Sequence, residues 1–359
     1  MIIKTRWAFS EDYVPPELIN REPERIIFRS FLKPLMNGQH LLQSMFITGT
    51  IGVGKTVLTR FITKELPSNA IYIKLSEADN TTPKILIKLI ALLGVPIPAY
   101  TPSNIALMNL TKWFNQMEKP TLLVLDDFEK ASLKAIQPLL HDIPRETRWC
   151  NFLIVSRTPN SLENLPTDTK STLRCRELSL PPYDKEIIRQ IIEQRANLAL
   201  YEDAIDPETI ETIAIQSASY GNAREAIDIL QYACQIAEES ETKKITTYDV
   251  DLAIEMIEKR SLEDTIRNLP PYHRLILKNL TPSPQRYANV YYKWKHQLAD
   301  TGLKALSIHR FRDFISDLKK VNLIELDVKG KGRGAGFQYS LFLAKDIYKI
   351  ISQQGESSL

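Results

Sequence analysis

Gly49-Thr-Ile-Gly-Val-Gly54-Lys55-Thr56 fits the pattern G-x-x-x-x-G-K-[ST], a spacing whose chemistry is the capture of phosphate. Glycine lets successive backbone N–H groups turn toward phosphate oxygens with no Cβ in the way. The N-terminus of a following helix adds partial positive charge. Lys55 would neutralise the β and γ phosphates, and the Thr56 hydroxyl would join the shell of a Mg²⁺ ion. Thr50, Ile51, Gly52 and Val53 within the loop and Val57 just after it complete the candidate nucleotide-contacting stretch. A turn with adventitious glycines is the plainer reading. It loses because the motif follows an apolar strand and opens a helix, as the mechanism demands.

Asp126 ends the apolar run Leu122-Leu-Val-Leu125, where a strand-terminal carboxylate can hold Mg²⁺ beside Thr56. The next residue, Asp127, stands where P-loop ATPases of this layout place a Glu that orients the attacking water. A side chain one methylene shorter moves the carboxylate by about an ångström, and misplacement on that scale can cost on the order of a hundredfold in rate. Asp126 and Asp127 are therefore the candidate catalytic pair, with Thr56 and Asp126 on the metal. The expectation is competent binding of ATP or ADP with Mg²⁺ and slow hydrolysis.

Short apolar strands alternating with helices must position these residues. Strands are expected over 44–48, 70–75, 121–125, 151–155 and 174–180, with helices over 22–36, 55–65, 83–93 and 105–117. Unbroken apolar strands separated by helices indicate a parallel sheet covered on both faces. Beyond Pro181-Pro-Tyr183 the periods are helical only: 184–200, 207–220, 223–239 and 246–259. Thr246, with Asp249 three residues on, suits a helix N-cap. Then come helices over 262–279, 287–300 and 307–321, a strand over 323–328, a Gly/Lys/Arg turn over 329–336 and a strand over 337–342. Three helices followed by a two-stranded hairpin with a basic tip is the layout of a winged helix. The division expected is 1–180, 181–260 and 261–359.

Bulk properties agree. The 359 residues exceed one ordinary core, and 43% apolar with 25% charged residues is the balance of a globular protein. No apolar run reaches the length of a membrane span, and the first residues carry no signal-peptide pattern. Cys150, Cys175 and Cys234 lie far apart with no metal-ligand spacing, which fits a reducing, cytoplasmic setting. Net charge is +3, yet residues 262–359 hold sixteen Lys/Arg against nine Asp/Glu, a net of +7. A basic tail behind a slightly acidic body suggests a polyanion partner for the tail.

The whole pattern resembles the archaeal origin-recognition/cell-division-control replication initiators. The likeness runs from Asp12-Tyr-Val-Pro15 and Asn20-Arg-Glu22 through the P-loop to the C-terminal hairpin. It implies an α/β P-loop AAA+ core with a parallel sheet, an all-α lid domain and a C-terminal winged-helix domain. It also implies that Tyr183, in Pro181-Pro-Tyr183, and Arg195 contact the nucleotide. Arg224, in Gly221-Asn-Ala-Arg224, would reach the γ-phosphate from the lid. A lid arginine bridging to phosphate makes the domain angle depend on the bound nucleotide. Two positions depart from the family. The sensor-1 segment reads Ser156-Arg157-Thr158 rather than carrying a polar Asn, and Asp168 stands at the trans-acting arginine finger. Arg174 and Arg176 lie nearby without occupying that position. A divergent paralogue fits these departures.

Residues 307–320 put Ile308, Phe311, Ile315 and Leu318 on one helical face and His309, Arg310, Asp313 and Ser316 largely elsewhere. That is the form of a recognition helix, apolar toward its domain and polar toward a groove. His309, Arg310 and Arg312 are its candidate DNA contacts, with Lys329, Lys331 and Arg333 on the wing. Arg310 could read guanine or phosphate. Lys319 and Lys320 serve equally as partners of the helix dipole. The Tyr287–Trp294 stretch reads as core. A further DNA element of the family would fall within Ser132–Arg148. The leading reading is a nucleoid-associated initiator that recognises double-stranded origin DNA, with ATP as its switch. Self-association or a paralogue on DNA and a replicative helicase are further partners that the resemblance implies, and no membrane is involved. The rival is a transcription regulator on the same scaffold. A P-loop signalling ATPase whose winged helix contacts proteins comes third, disfavoured by the basic wing.

Overall fold

Side chains alternate across a strand, so a continuous apolar strand presents two faces to be buried, and the central strands of this chain bury both. β1 (Met45–Thr48), β2 (Ala70–Lys74), β3 (Thr121–Asp126), β4 (Cys150–Ser156) and β5 (Arg176–Ser179) form one parallel sheet in the order β2-β3-β4-β1-β5. The connecting helices are α1 (Glu22–Met36), α2 (Lys55–Thr63), α3 (Thr82–Leu93), α4 (Ser103–Met117), α5 (Leu133–Glu146) and α6 (Thr167–Leu173). Phe46, Leu123, Leu125, Phe152 and Ile154 pack on one face with α3, α4 and α5. Met45, Ile47, Leu122, Val124 and Val155 pack on the other with α1 and α2. The computed structural model describes residues 1–66, 70–98, 100–219, 221–304, 306–330 and 337–354. They divide into two units, Met1–Ala253 and Ile254–Leu359.

The helical part of the first unit is α7 (Lys185–Ala199), α8 (Pro207–Ala218) and α9 (Ala223–Glu239), with the start of α10 (Thr247–Asn268). Thr246 and Asp249 cap α10 reciprocally: Thr246 N and Oγ1 donate to Asp249 Oδ2 at 2.8 and 2.7 Å, and Asp249 N donates to Thr246 Oγ1 at 3.4 Å.

In the second unit α11 (Pro271–Lys278), β6 (Gln285–Arg286), α12 (Tyr287–Asp300), α13 (Ile308–Lys320), β7 (Glu325–Gly330), β8 (Phe337–Phe342) and α14 (Lys345–Gln354) follow. Trp294, Phe311, Leu318 and Leu341 are fully buried at its centre. The strands form an antiparallel sheet in the order β6-β8-β7. This is a winged-helix layout.

Several expectations change. The helix expected to stop at Lys259 continues to Asn268, because Arg260 and Ser261 contain nothing that breaks a helix. The break falls instead at Pro270, where the ring bars the preceding residue from helical backbone, and α11 starts on Pro271. The wing sheet has three strands rather than two, the added β6 being only Gln285 and Arg286. α5, α6 and α14 were not foreseen. α5 buries Ala135, Ile136, Leu139, Leu140 and Ile143, a helical stripe that Pro138 and Pro144 disguise by removing backbone donors. Among the described residues no helix is long and apolar enough to cross a membrane.

Candidate functional site

Parallel strands place their carboxyl ends on one edge, and the loop after β1 turns there into α2. Gly52 and Gly54 adopt φ of 75° and 84°, backbone that an L side chain rarely takes. Gly54 is the N-cap of α2 with no side-chain capping bond, so the first N–H groups of that helix remain available to an anion. Ile51 is exposed and Val53 is buried beneath the loop, with Val57 half-buried one turn into α2. Lys55 Nζ donates to the carbonyls of Gly49 at 2.8 Å and Thr50 at 2.7 Å. Burial lowers its pKa from the usual lysine value. The carboxylates of Glu129, Asp126 and Asp127 oppose that shift, and Arg157 adds to it.

Asp126 is buried at the end of β3. Its Oδ2 accepts from Thr56 Oγ1 at 2.9 Å and from the Tyr72 hydroxyl, and its Oδ1 accepts from Asp127 N at 2.9 Å. Burial raises the Tyr72 phenol well above its ordinary value, with Asp126 adding to the effect. Thr56 and Asp126 thus converge as a Mg²⁺ shell requires, a hydroxyl beside one carboxylate. Phosphate oxygens and water would supply the remaining ligands. Among the described residues no group of three His, Cys, Asp or Glu could hold a metal ion. Asp127 takes left-handed backbone, φ 56°, and its Oδ2 pairs with Lys130 at 2.8 Å.

The lid contributes three features. Gly221 O accepts from Tyr183 N at 3.3 Å, and Ala223 N donates to the P-loop carbonyl of Gly52 at 3.2 Å. Asn222 caps α9 and packs into the space beside Gly52. The Tyr183 hydroxyl lies where a Cβ on Gly54 would come within 2.6 Å, so both glycines are needed for the lid to approach.

Arg195 and Arg224 meet the N-terminal segment. Arg195 Nη1 donates to Ala8 O at 2.6 Å, and its guanidinium lies 4.4 Å from the Tyr13 ring centroid. Burial lowers the Arg195 pKa. Arg224 is exposed and pairs with Glu11. Of the candidate residues, the P-loop, Asp126, Asp127 and Tyr183 come together directly.

Three residues that sequence reasoning passed over belong here. Arg21 is buried. Its Nη2 donates to Val53 O at 2.9 Å and to Pro181 O at 3.0 Å, its Nε donates to the Tyr183 hydroxyl at 3.2 Å, and it lies 4.1 Å from that ring's centroid. Tyr72 sits on Asp126, and Glu129 binds Ser156 and Arg157. The only signal for Arg21 was its place in the Asn20-Arg-Glu22 segment. For Glu129 it was its position two residues beyond Asp127.

On α13, Phe311, Ile315 and Leu318 face the core while His309, Arg310 and Arg312 are exposed. Ser307 caps the helix, its Oγ accepting from Arg310 N at 3.4 Å. Arg310 lies 3.6 Å from Asp313, and Lys320 pairs with Asp317 at 3.1 Å. Tyr291 and Trp294 are buried as core, whereas Tyr292 is exposed. Backbone pairing joins Lys329 to Gln338, but Lys331, Arg333 and the side chain of Lys329 lie outside the described residues.

Comparison with known proteins agrees with this architecture. Residues 40–161 match the family model of an AAA domain, and residues 189–255 match that of a Cdc6 AAA+ ATPase-type lid domain. The ORC1-type DNA replication protein 1 of Sulfolobus acidocaldarius is 29% identical over 99% of this chain and 94% of its own. The ORC1-type DNA replication protein of Thermococcus kodakarensis is 27% identical over 97% and 91%. The structure of the Aeropyrum pernix ORC1 protein in complex with DNA superposes with a TM-score of 0.79 at 25% identity, covering 98% of this chain and 97% of that one. Cdc6p from Pyrobaculum aerophilum shares the fold, with a TM-score of 0.65 at 20% identity over 99% of this chain and all of that one. The chain thus carries an AAA domain followed by a Cdc6 AAA+ ATPase-type lid domain, and over nearly its whole length it is similar to the ORC1-type DNA replication proteins.

Proposed function

We propose that this chain is a replication initiator that binds double-stranded origin DNA, with ATP and Mg²⁺ as a conformational switch and slow hydrolysis. The observation that carries the switch is the seating of α9 on the P-loop, where Ala223 N donates to Gly52 O and Asn222 packs beside it. A lid held on the loop that wraps phosphate must respond when phosphate is bound or lost. Gly49 to Val57 would wrap the nucleotide, with Lys55 on its phosphates and Thr56 and Asp126 on the metal. Tyr183, Arg195 and Arg224 would report occupancy from the lid.

DNA enters this reading through the second unit and through the likeness to an ORC1 structure that contains DNA. His309, Arg310 and Arg312 leave α13 on its exposed side, and Lys329, Lys331 and Arg333 supply the charge of the wing. The test combines two measurements. Lys55→Ala should remove most ATP and ADP binding in solution. Mapping of bound DNA across the genome should give a few origin-like clusters. Unchanged nucleotide affinity in Lys55→Ala, or many scattered promoters on the map, would reject the corresponding half of the reading.

A further inference from the structure

β2 is an edge strand of the parallel sheet, in register with β3 so that Tyr72 lies opposite Val124 and Lys74 opposite Asp126. Alternate side chains on a strand share a face, so Tyr72 and Asp126 project to the same side. There Tyr72 packs on the core that Leu122 and Val124 form with α2. The Tyr72 hydroxyl crosses from one strand to the next and donates to Asp126 Oδ2. Thr56 Oγ1 donates to the same oxygen at 2.9 Å, while Oδ1 accepts from Asp127 N at 2.9 Å. A carboxylate offers about four lone-pair sites over its two oxygens. Those of Oδ2 are both used, and Oδ2 is the oxygen that Asp126 shares with Thr56, the other candidate metal ligand.

Tyr72 is itself held. The Arg60 guanidinium lies 4.8 Å from its ring centroid, and Arg60 Nη1 donates to Asp12 Oδ1 at 2.6 Å. Glu11, the neighbouring residue, pairs with Lys74 at 3.9 Å at the end of β2. Residues 11 and 12 therefore close over the edge strand that carries the tyrosine. The same segment meets the lid, through Ala8 O on Arg195 and Glu11 on Arg224. Asp126 is buried, and a buried carboxylate is costly unless its lone pairs are met. Without a cation, hydroxyl protons meet that need. A phenol proton and a divalent cation cannot use the same lone pair.

We infer that Tyr72 is a positioning residue that stands in for the nucleotide's Mg²⁺ on Asp126 Oδ2. Its hydroxyl must leave that oxygen when metal-bound nucleotide arrives, and Asp12, through Arg60, sets how firmly it stays. This rests on the nucleotide-switch reading above and adds to it the residue that tunes how much Mg²⁺ strengthens binding. Metal-free nucleotide leaves the Tyr72 bond intact, so its affinity does not depend on the phenol. Metal-bound nucleotide is opposed by that bond. Residues 8–12 thereby bear on the metal side of the site and on the lid arginines at once.

The test compares, for the full chain, the affinity for a slowly hydrolysed ATP analogue in saturating Mg²⁺ with that in EDTA. In Tyr72→Phe the ratio of the two should rise by about tenfold, the low end for one hydrogen bond to a charged group, because the half-buried phenol regains water as it swings away. Affinity in EDTA should stay within about twofold of the wild type, which a merely structural lesion would not spare. Asp12→Asn breaks an exposed ion pair and should raise the ratio by about twofold in the wild type and not at all in Tyr72→Phe. Loss of a negative charge by itself would move that ratio the other way. An unchanged or lower ratio in Tyr72→Phe overturns the inference. If melting curves show that Tyr72→Phe does not fold, Asp12→Asn decides alone, an unchanged or lower ratio again overturning it. Failure of the nucleotide reading looks different. Lys55→Ala would then bind as the wild type does, or Mg²⁺ would leave wild-type affinity unchanged, and the role of Tyr72 would fall with the site.

Discussion

The side chain of Asn222 fills the space that a Cβ on Gly52 would need. The P-loop and the first turn of α9 thereby share one volume, with the Ala223 N to Gly52 O bond alongside at 3.2 Å. Gly52→Ala is expected to strain backbone at φ 75° and to push Asn222 from its cap. Such strain costs about 1–3 kcal/mol, and a lost cap costs typically about 1 kcal/mol. The melting temperature and the nucleotide affinity should fall together. Combining Gly52→Ala with Asn222→Gly should return part of the loss, since glycine caps a helix nearly as well and leaves room for the methyl. Strictly additive effects in that double-mutant cycle would show that the two residues do not compete for space.

Turnover should be slow. Asp127 is both one methylene short and tied to Lys130 at 2.8 Å, and it sits in left-handed backbone that tolerates Asp better than longer side chains. A steady-state rate below about 1 s⁻¹, the lower end of ordinary enzyme turnover, is expected. Asp127→Glu should raise it if carboxylate reach is limiting, and Lys130→Ala should add to that gain by releasing the carboxylate. A wild-type rate in the ordinary range would show that the shorter side chain is no handicap.

Sequence alone located the strands and the P-loop because both depend on local pattern: apolar runs for buried strands, glycine spacing for phosphate. The winged-helix helices 287–300 and 307–321 were legible for the same reason, with Phe311 and Leu318 recurring at helical spacing. What escaped is what depends on folding. Arg21 reaches Tyr183 across 162 positions, and Tyr72 reaches Asp126 across 54, with no spacing rule to join them. The α5 stripe was hidden by its prolines, and the helix junction near residue 260 was placed by periodicity where only Pro270 could break the chain.

Acid should loosen the second unit through His273. Burial holds its imidazole below its ordinary value of 6.5, and Asp317 at 3.8 Å only partly opposes that. The folded state therefore takes up this proton less readily than the unfolded state. Its stabilising contribution is complete above 6.5 and is lost as pH falls through the lower folded value. Asp317 is shifted in the same sense: its Lys320 partner keeps the carboxyl below 3.8, so its contribution fades only in stronger acid. Thermal melts from pH 7 downward should show a slope beginning near 6.5 that His273→Phe removes, leaving the more acidic limb. A slope unchanged in that variant would assign it to another group.

DNA binding should separate into two kinds of contact. Replacing Lys329, Lys331 and Arg333 together should flatten the slope of log affinity against log salt by roughly two to three units, at about 0.9 per phosphate on B-DNA, with little change in sequence preference. Arg310→Ala should cost about 1–3 kcal/mol on the preferred site and much less on random duplex if it pairs with guanine. Parallel losses on both would place Arg310 on phosphate. Titrations at several salt concentrations decide between these outcomes. Retained binding in both variants would remove the second unit from DNA recognition.

Residues 2–12 close the first unit on itself: Ile2 and Ile3 donate to Glu238, Ile3 bridges Leu200, and Asp12 pairs with Arg60 at 2.6 Å. The Ile2–Glu238 bond spans 236 positions. The segment's partners lie far along the chain, at Ala199, Leu200 and Glu238, so it docks by long-range contacts whose loop-closure entropy must be overcome before they stabilise anything. Opening of this one segment would therefore uncouple α7, α9 and the strand-to-helix end of the sheet together, and Trp7 within it, exposed at 60%, is a fluorophore placed to report it.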